Sequence, residues 1–275
     1  MTGNLILCAT PIGNLGDTST RLKTALTAAD LIYAEDTRRA ATLLQALGVQ
    51  TKVRSYFLGN EARRSEELAA RLESGSTVAL ITDAGMPSIA DPGLSAVQAA
   101  RAVGAEVTVI PGPSAVTAAL AVSGLPAERF VFEGFLPRKG KDRSRRLTQL
   151  ASEERTAVLF SAKKRVVDDL TDLAAVLGPD RPVVVTRELT KAFEEVWHGT
   201  LATAAKHWAD EQPRGEFTLV VGGAIHEPPD LESAVTQATN AIESGDSMTD
   251  AVRRIASDTG VSRRDLYEAV LRARD

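Results

Sequence analysis

Three short loops rich in glycine and proline, each closing an apolar run of four or five residues, constrain this chain most. They are Thr10-Pro11-Ile12-Gly13-Asn14-Leu15-Gly16-Asp17, Asp83-Ala84-Gly85-Met86-Pro87 and Pro111-Gly112-Pro113-Ser114-Ala115. The runs before them, Leu5 to Ala9, Val78 to Thr82 and Val107 to Ile110, read as buried strands, and a stretch of helical character follows each loop. In open α/β sheets ligands bind beyond the carboxyl ends of the strands. Loops with little side-chain bulk let backbone amides approach a small molecule. Three such loops at strand ends predict one cofactor cleft.

The same strand–loop–helix alternation extends through the first half. Thr18 or Ser19 caps a helix to about Ala28, Leu31 to Ala34 is a strand, and the next helix stops before Gly48. Val53 to Tyr56, a helix over Glu61 to Leu72, and a helix over Pro92 to Val103 complete a βαβ pattern that argues for a mainly parallel sheet covered on both faces. Pro111-Gly112-Pro113 is the strongest hinge signal, and Ser114 caps an Ala/Val-rich helix to about Val122. Beyond it, Phe130 to Phe132, Ala157 to Phe160, Pro182 to Thr186, Glu194 to His198 and Phe217 to Val221 read as strands. Only Arg165 to Leu177 and Leu201 to Asp210 read as clear helices between them. A hairpin around Arg187 to Glu195 implies a mixed sheet. After the Pro228-Pro229 pair come helical stretches, including Thr249 to Ser257 and Ser262 to Arg272. The expected domains are 1–112, 113–227 and a helical tail over 228–275, a possible helix-turn-helix.

Chemistry is narrowed first by absences. Only Gly13 and Gly16 stand in the first loop, so neither the dinucleotide fingerprint nor the P-loop pattern is present. The histidines, His198, His207 and His226, form no close pair at ligand spacing, and the single cysteine, Cys8, lies inside a strand. No metal is therefore expected, nor a disulfide. A serine hydrolase would need a G-x-S-x-G elbow, which the chain lacks. No run approaches the roughly 18 apolar residues of a spanning helix, and the N-terminus enters a strand without a signal-peptide pattern. The expectation is a cytoplasmic protein without a membrane partner, and group transfer through a cofactor is the class that remains.

Charge enters through its distribution. The formal net charge is −4, yet Arg138, Lys139, Lys141, Arg143, Arg145 and Arg146 crowd into nine residues with one acid. The tail adds Arg253, Arg254, Arg263, Arg264, Arg272 and Arg274. Such patches either grip phosphate locally or form solvated helix faces. The second strand ends in Glu35-Asp36-Thr37-Arg38. This acid pair either serves the cleft or favours the N-terminus of the next helix through its dipole. Asn60-Glu61 carries the same ambiguity.

Taken in order, Ala9 to Asp17, Ala34 to Arg38, Asp83 to Pro87, Pro111 to Ala115, Glu133 to Lys139, Arg187 to Lys191, Glu195 to Thr200 and Gly215 to Thr218 carry a family likeness over essentially the whole chain. The sequence resembles the bacterial small-subunit rRNA cytidine 2′-O-methyltransferases of the tetrapyrrole-methylase superfamily. The resemblance implies an α/β, two-domain tetrapyrrole-methylase-like fold, with a mainly parallel N-terminal sheet, a mixed C-terminal sheet and a small helical extension. It implies S-adenosylmethionine as methyl donor, 16S rRNA or the small ribosomal subunit as substrate, a cytidine in the decoding centre as target, and a homodimer. By position, Pro11, Thr82, Asp83, Gly85 and Met86 match donor contacts of the first domain, Ser114 and Ala115 those at the junction, and Ser161 a strand end closing over the donor. Two departures stand out: Met86 where relatives commonly carry Thr, and Phe160 to Lys164 where they carry an aromatic-Glu-Ser-Pro segment.

Within that frame Asp36 or Glu35 is the expected base or ribose-orienting group, with Arg38 on a phosphate, and the 138–146 segment is the expected RNA grip. Other readings are a methylase of tetrapyrroles or of a protein residue on the same fold, a nicotinamide-dependent dehydrogenase, and a non-enzymatic ribosome-binding protein. The basic segment and tail favour RNA, the missing fingerprint disfavours the dehydrogenase, and three convergent loops disfavour a mere binder.

Overall fold

All four residues of β2 (Leu31–Ala34) are buried, and their side chains divide between two separate cores. Ile32 and Ala34 join one cluster, Leu31 and Tyr33 the other, as the two-residue period of a strand requires. In the computed structural model, which describes residues 2–224 and 230–274, this strand lies within a five-stranded parallel sheet. Its members are β1 (Asn4–Cys8), β2, β3 (Val53–Ser55), β4 (Thr77–Ile81) and β5 (Glu106–Ile110), in the order β3-β2-β4-β1-β5. Helices α1 (Thr20–Ala28) and α2 (Thr37–Leu47) cover one face through Leu22, Leu26, Ala40 and Leu44. Helices α3 (Glu61–Glu73) and α4 (Leu94–Ala102) cover the other through Leu68, Leu72, Ala96 and Ala100.

The local punctuation acts as expected. The Ser19 hydroxyl accepts the Leu22 N–H at 3.1 Å to start α1, and Gly48, at φ 68°, ends α2 in the left-handed conformation. Helix α4 departs from expectation by starting at Leu94, with Gly93 at its N-cap position and Pro92 left in the preceding loop. Cys8 is fully buried in β1, and burial pushes its thiol up to about 12, so it serves as core filler.

After α5 (Ala115–Ser123) comes a second sheet, built from β6 (Phe130–Phe135), β7 (Thr156–Ala162), β8 (Pro182–Arg187), β9 (Glu195–Thr200) and β10 (Glu216–Val221). Its order is β6-β7-β10-β8-β9; β6 and β7 run parallel, and the other neighbours are antiparallel. One face packs α6 (Lys141–Ala151), α7 (Val166–Leu177) and α8 (Leu201–Asp210) around the buried Trp208, and the other packs α5. The sequence reading did not assign α6. Its buried positions are Arg143, Leu147 and Leu150, a helical stripe in which a cation occupies one of three places.

Residues 1–223 form one compact unit and 224–275 another. The second contains α9 (Leu231–Glu243), α10 (Met248–Thr259) and α11 (Arg263–Arg274), packed around Ala234, Ala238, Val252, Ile255, Leu266 and Val270. Ser247 caps α10, and Gly260 closes it at φ 74°. The Pro228-Pro229 boundary and His226 lie outside the described residues. Among those described, no helix is long and apolar enough to cross a membrane.

Candidate functional site

The three loops meet. Thr10 and Gly85 exchange backbone hydrogen bonds of 2.9 and 3.1 Å, an antiparallel bridge that ties the first loop to the second. Gly85 holds φ 76°, and a Cβ placed on it would lie 3.6 Å from the Ile12 methyl and 3.8 Å from the Pro113 carbonyl. Gly112 approaches Ala9 so closely that a Cβ there would sit 3.0 Å from the Ala9 methyl. Residues from all three loops therefore surround Gly85, whose positive φ is what favours glycine there.

A cavity of about 580 Å³ opens there between the strand ends of the two sheets, a size suited to a cofactor or drug-sized ligand. Asp83, Gly85, Met86, Ser114, Ala115 and Ser161 all line it. Pro11 and Thr82 instead line an adjoining cavity of about 390 Å³, together with Arg39 and Lys191. Ile12, Arg39, Asp83, Ala84 and Glu216 belong to both walls. Ser114 stands at the N-cap position of α5 without a capping bond from its side chain. The buried Ser161 hydroxyl donates to Asp169 at 2.6 Å.

The strand-end acids separate. Glu35 lines the larger cavity, whereas Asp36 and Arg38 line neither. The Asp36 carboxylate accepts the Arg38 backbone N–H at 2.8 Å, capping α2, and grips the Arg38 guanidinium at 2.6 and 3.1 Å. These hydrogen bonds from Arg38 hold Asp36 well below the usual carboxylate range. Asp36 thus caps α2 and pairs with Arg38, and neither residue lines the cavity. Glu35 behaves oppositely: burial, then the negative charge of Asp83, pushes its carboxyl up.

The sequence reading missed Asp91. It lies on the cavity wall, and its carboxyl is pushed up to about 6, first by burial and then by the charges of Glu35 and Asp83. Its only local signal was an acid before a proline, which reads as a turn. A network of Glu188, Lys191 and Glu216 was also missed as such; Lys191 Nζ donates to the two carboxylates at 2.8 and 2.9 Å.

The basic segment divides as well. Arg138, Lys139, Lys141, Arg145 and Arg146 are exposed. Arg145 pairs with Asp142 at 2.9 Å, and Arg146 pairs with Glu133. Arg143 is not available to RNA: it is buried, bonded to Asp169 at 2.9 Å and Asp172 at 2.7 Å on α7, and donates to the Pro137 carbonyl at 3.0 Å. Helical spacing with Leu147 and Leu150 turns it inward. Of the tail arginines, Arg253, Arg254, Arg264 and Arg272 pair with acids of their own unit. Among the described residues no cluster of three potential metal ligands exists.

Residues 4–205 match the family of Tetrapyrrole (Corrin/Porphyrin) Methylases. The chain is 44% identical over 272 residues to ribosomal RNA small subunit methyltransferase I of Synechocystis sp., covering 98% of both proteins. It is 45% identical over 275 residues to the protein of that name from Mycobacterium tuberculosis, covering 99% of this chain and 96% of that one. Among solved structures, diphthine synthase superposes with a TM-score of 0.63 at 18% identity, over 81% of this chain and 91% of that one, a likeness of fold. The three loops described above lie within the matched residues, and the chain belongs to the tetrapyrrole (corrin/porphyrin) methylase family, as a relative of ribosomal RNA small subunit methyltransferase I.

Proposed function

We propose that this protein transfers a methyl group from S-adenosylmethionine to a ribose 2′-hydroxyl of small-subunit ribosomal RNA, with a cytidine of the decoding centre as target. The observation that carries the reading is the loop-lined cavity, in a chain similar over nearly its full length to enzymes named for methylating that RNA.

The residues present fit the donor. The cavity wall includes five acids, Glu35, Asp83, Asp91, Glu188 and Glu216, against two bases, Arg39 and Lys163. That balance suits a ligand with a sulfonium and an ammonium group. Gly85 leaves open the space that a side chain would fill. When bound, the donor supplies an electrophilic methyl group on a positively charged sulfur. Asp83, Gly85, Met86, Ser114 and Ala115 would hold it from the first sheet and the junction. Ser161 would contribute by its backbone, since its hydroxyl is held by Asp169. Phe135 and Phe160, tilted against each other at 5.5 Å, would keep water from one side. Pro11 and Thr82 would contact the ligand from the adjoining cavity.

In this reading 1–112 and 113–227 are the two domains that share the donor, and 228–275 is a helical extension. Exposed Arg138, Lys139, Lys141, Arg145 and Arg146 grip RNA phosphates, and the protein acts in the cytoplasm as a homodimer. The test is transfer of labelled methyl from S-adenosylmethionine to small subunits and to free 16S rRNA, with the 2′-O-methyl position mapped. One methylated cytidine ribose is the expected product. Absence of ribose methylation on both substrates, with donor binding intact by calorimetry, would sink the reading.

A further inference from the structure

The loop between β4 and α4 presents an acid to the cavity on an unusual backbone. Ser88 and Ala90 hold positive φ values of 71° and 62° although neither is glycine, conformations that persist only where surrounding structure enforces them. The enforcing bonds are visible. Ser88 N–H donates to the Pro92 carbonyl at 3.2 Å, Ile89 N–H to the Met86 carbonyl at 3.3 Å, and Gly93 N–H to the Glu61 carboxylate at 3.0 Å. Asp91, directly after Ala90, is half-buried on the cavity wall and has no ion-pair partner among the described residues.

Its surroundings come from several elements. The buried Thr82 hydroxyl, short of a well-formed hydrogen bond, lies beside the Asp91 carboxylate from the end of β4. The carboxylates of Glu35, past β2, and Asp83, past β4, add negative charge. Arg39 on α2 is engaged by Asp83 at 3.5 Å, and Lys163 lies on the wall formed by the second sheet. This contrasts with Asp36, which its own arginine neutralises.

We infer that Asp91, presented to the cavity by the loop before α4, accepts the proton of the attacking ribose 2′-hydroxyl. The inference rests on the methyl-transfer reading above. As the oxygen–carbon bond forms, the hydroxyl proton passes to an Asp91 oxygen. The carbon–sulfur bond breaks and its electron pair stays on sulfur. A negative carboxylate and a positive sulfonium become a neutral acid and a neutral thioether, so charge balances. A carboxylate shifted toward neutrality is still ionised at pH 7 and takes a proton more readily than an ordinary one. Burial and the two acid neighbours account for the shift to about 6.

The experiment compares wild type, Asp91→Asn and Asp91→Glu in single-turnover methyl transfer to small subunits across pH, alongside donor calorimetry and thermal unfolding. The wild-type rate should fall as pH drops through about 6. Asp91→Asn should lose on the order of a hundredfold or more in rate and lose that bend. It should also unfold at a higher temperature at neutral pH, because a charge held against burial and repulsion is gone. Asp91→Glu should recover part of the rate. A near-normal rate or a retained bend in Asp91→Asn overturns the inference alone. A lower unfolding temperature with weakened donor binding also overturns it, since Asp91 would then be a structural residue. A wild type that binds donor but methylates no ribose overturns the methyl-transfer reading and this inference with it.

Discussion

The two sheets end at one cavity, yet they treat their acids in opposite ways. On the wall from the first sheet, burial and then the charge of Asp83 push Glu35 upward, and burial and then the charges of Glu35 and Asp83 push Asp91 upward; among the described residues Arg39 is the one cation of that wall, and it is turned to Asp83. Around the second sheet, buried Asp169 on α7 and half-buried Glu188 on the cavity wall each have a cation. Asp169 takes Arg143, Arg165 and the Ser161 hydroxyl. At Glu188 burial pushes upward, but Lys191 and the Glu216 N–H outweigh it, and the net shift is downward. An acid without a local counter-charge keeps a proton affinity that can be used near neutral pH; a paired acid serves as a structural joint. The parallel sheet thus presents acids without a local counter-charge, and the mixed sheet presents paired ones.

Three measurements would break or sharpen this contrast. The largest effect belongs to Arg143→Met, which leaves buried Asp169 with Arg165 and Ser161 alone. It should destabilise the protein by about 3 kcal/mol, near the low end for breaking a buried pair, read by denaturant unfolding. A loss below about 1 kcal/mol would mean that the second wall does not depend on its cations. Next is Asp91→Asn. The folded carboxyl at about 6 binds its proton more tightly than an ordinary aspartate at 3.8. Its contribution to stability is therefore full below the unfolded value and is lost as pH rises through the folded one. The variant should exceed wild type above about pH 6 by roughly 1–3 kcal/mol, and the gap should close toward pH 4. A gap that does not depend on pH would remove the premise that the first wall strains its acids. The smallest effect on stability is expected for Arg145→Ala with Arg146→Ala, within about 0.5 kcal/mol. The same double variant should weaken binding to small subunits and lower the salt slope by about one for each phosphate no longer gripped. Unchanged slope would move the RNA grip elsewhere.

Much of the fold was legible because its signals are local. Ser19 and Gly48 bound helices through their own side chain and dihedral angle, and the apolar runs of β1, β2 and β4 announce strands without reference to the rest of the chain. Helix α6 was not legible, because its buried stripe is Arg143-Leu147-Leu150 and the partners that make an arginine acceptable inside, Asp169 and Asp172, lie on a different helix. The site was half legible. Loops with glycine and proline declare where a ligand can approach, whereas the fate of an acid depends on what folds against it.

Glu35, Asp36 and Asp91 make that division concrete. The sequence alone determined that acids stand beyond strand ends, because strand, turn and cap are decided by residues a few positions apart. Which of them carries an unneutralised charge was decided by tertiary structure. Asp36 is neutralised two residues away by Arg38, within reach of local geometry. Asp91 and Glu35 come together only when β2 and β4 pair in register, Ala34 beside Ile81, and burial and Coulomb repulsion act through space rather than along the chain.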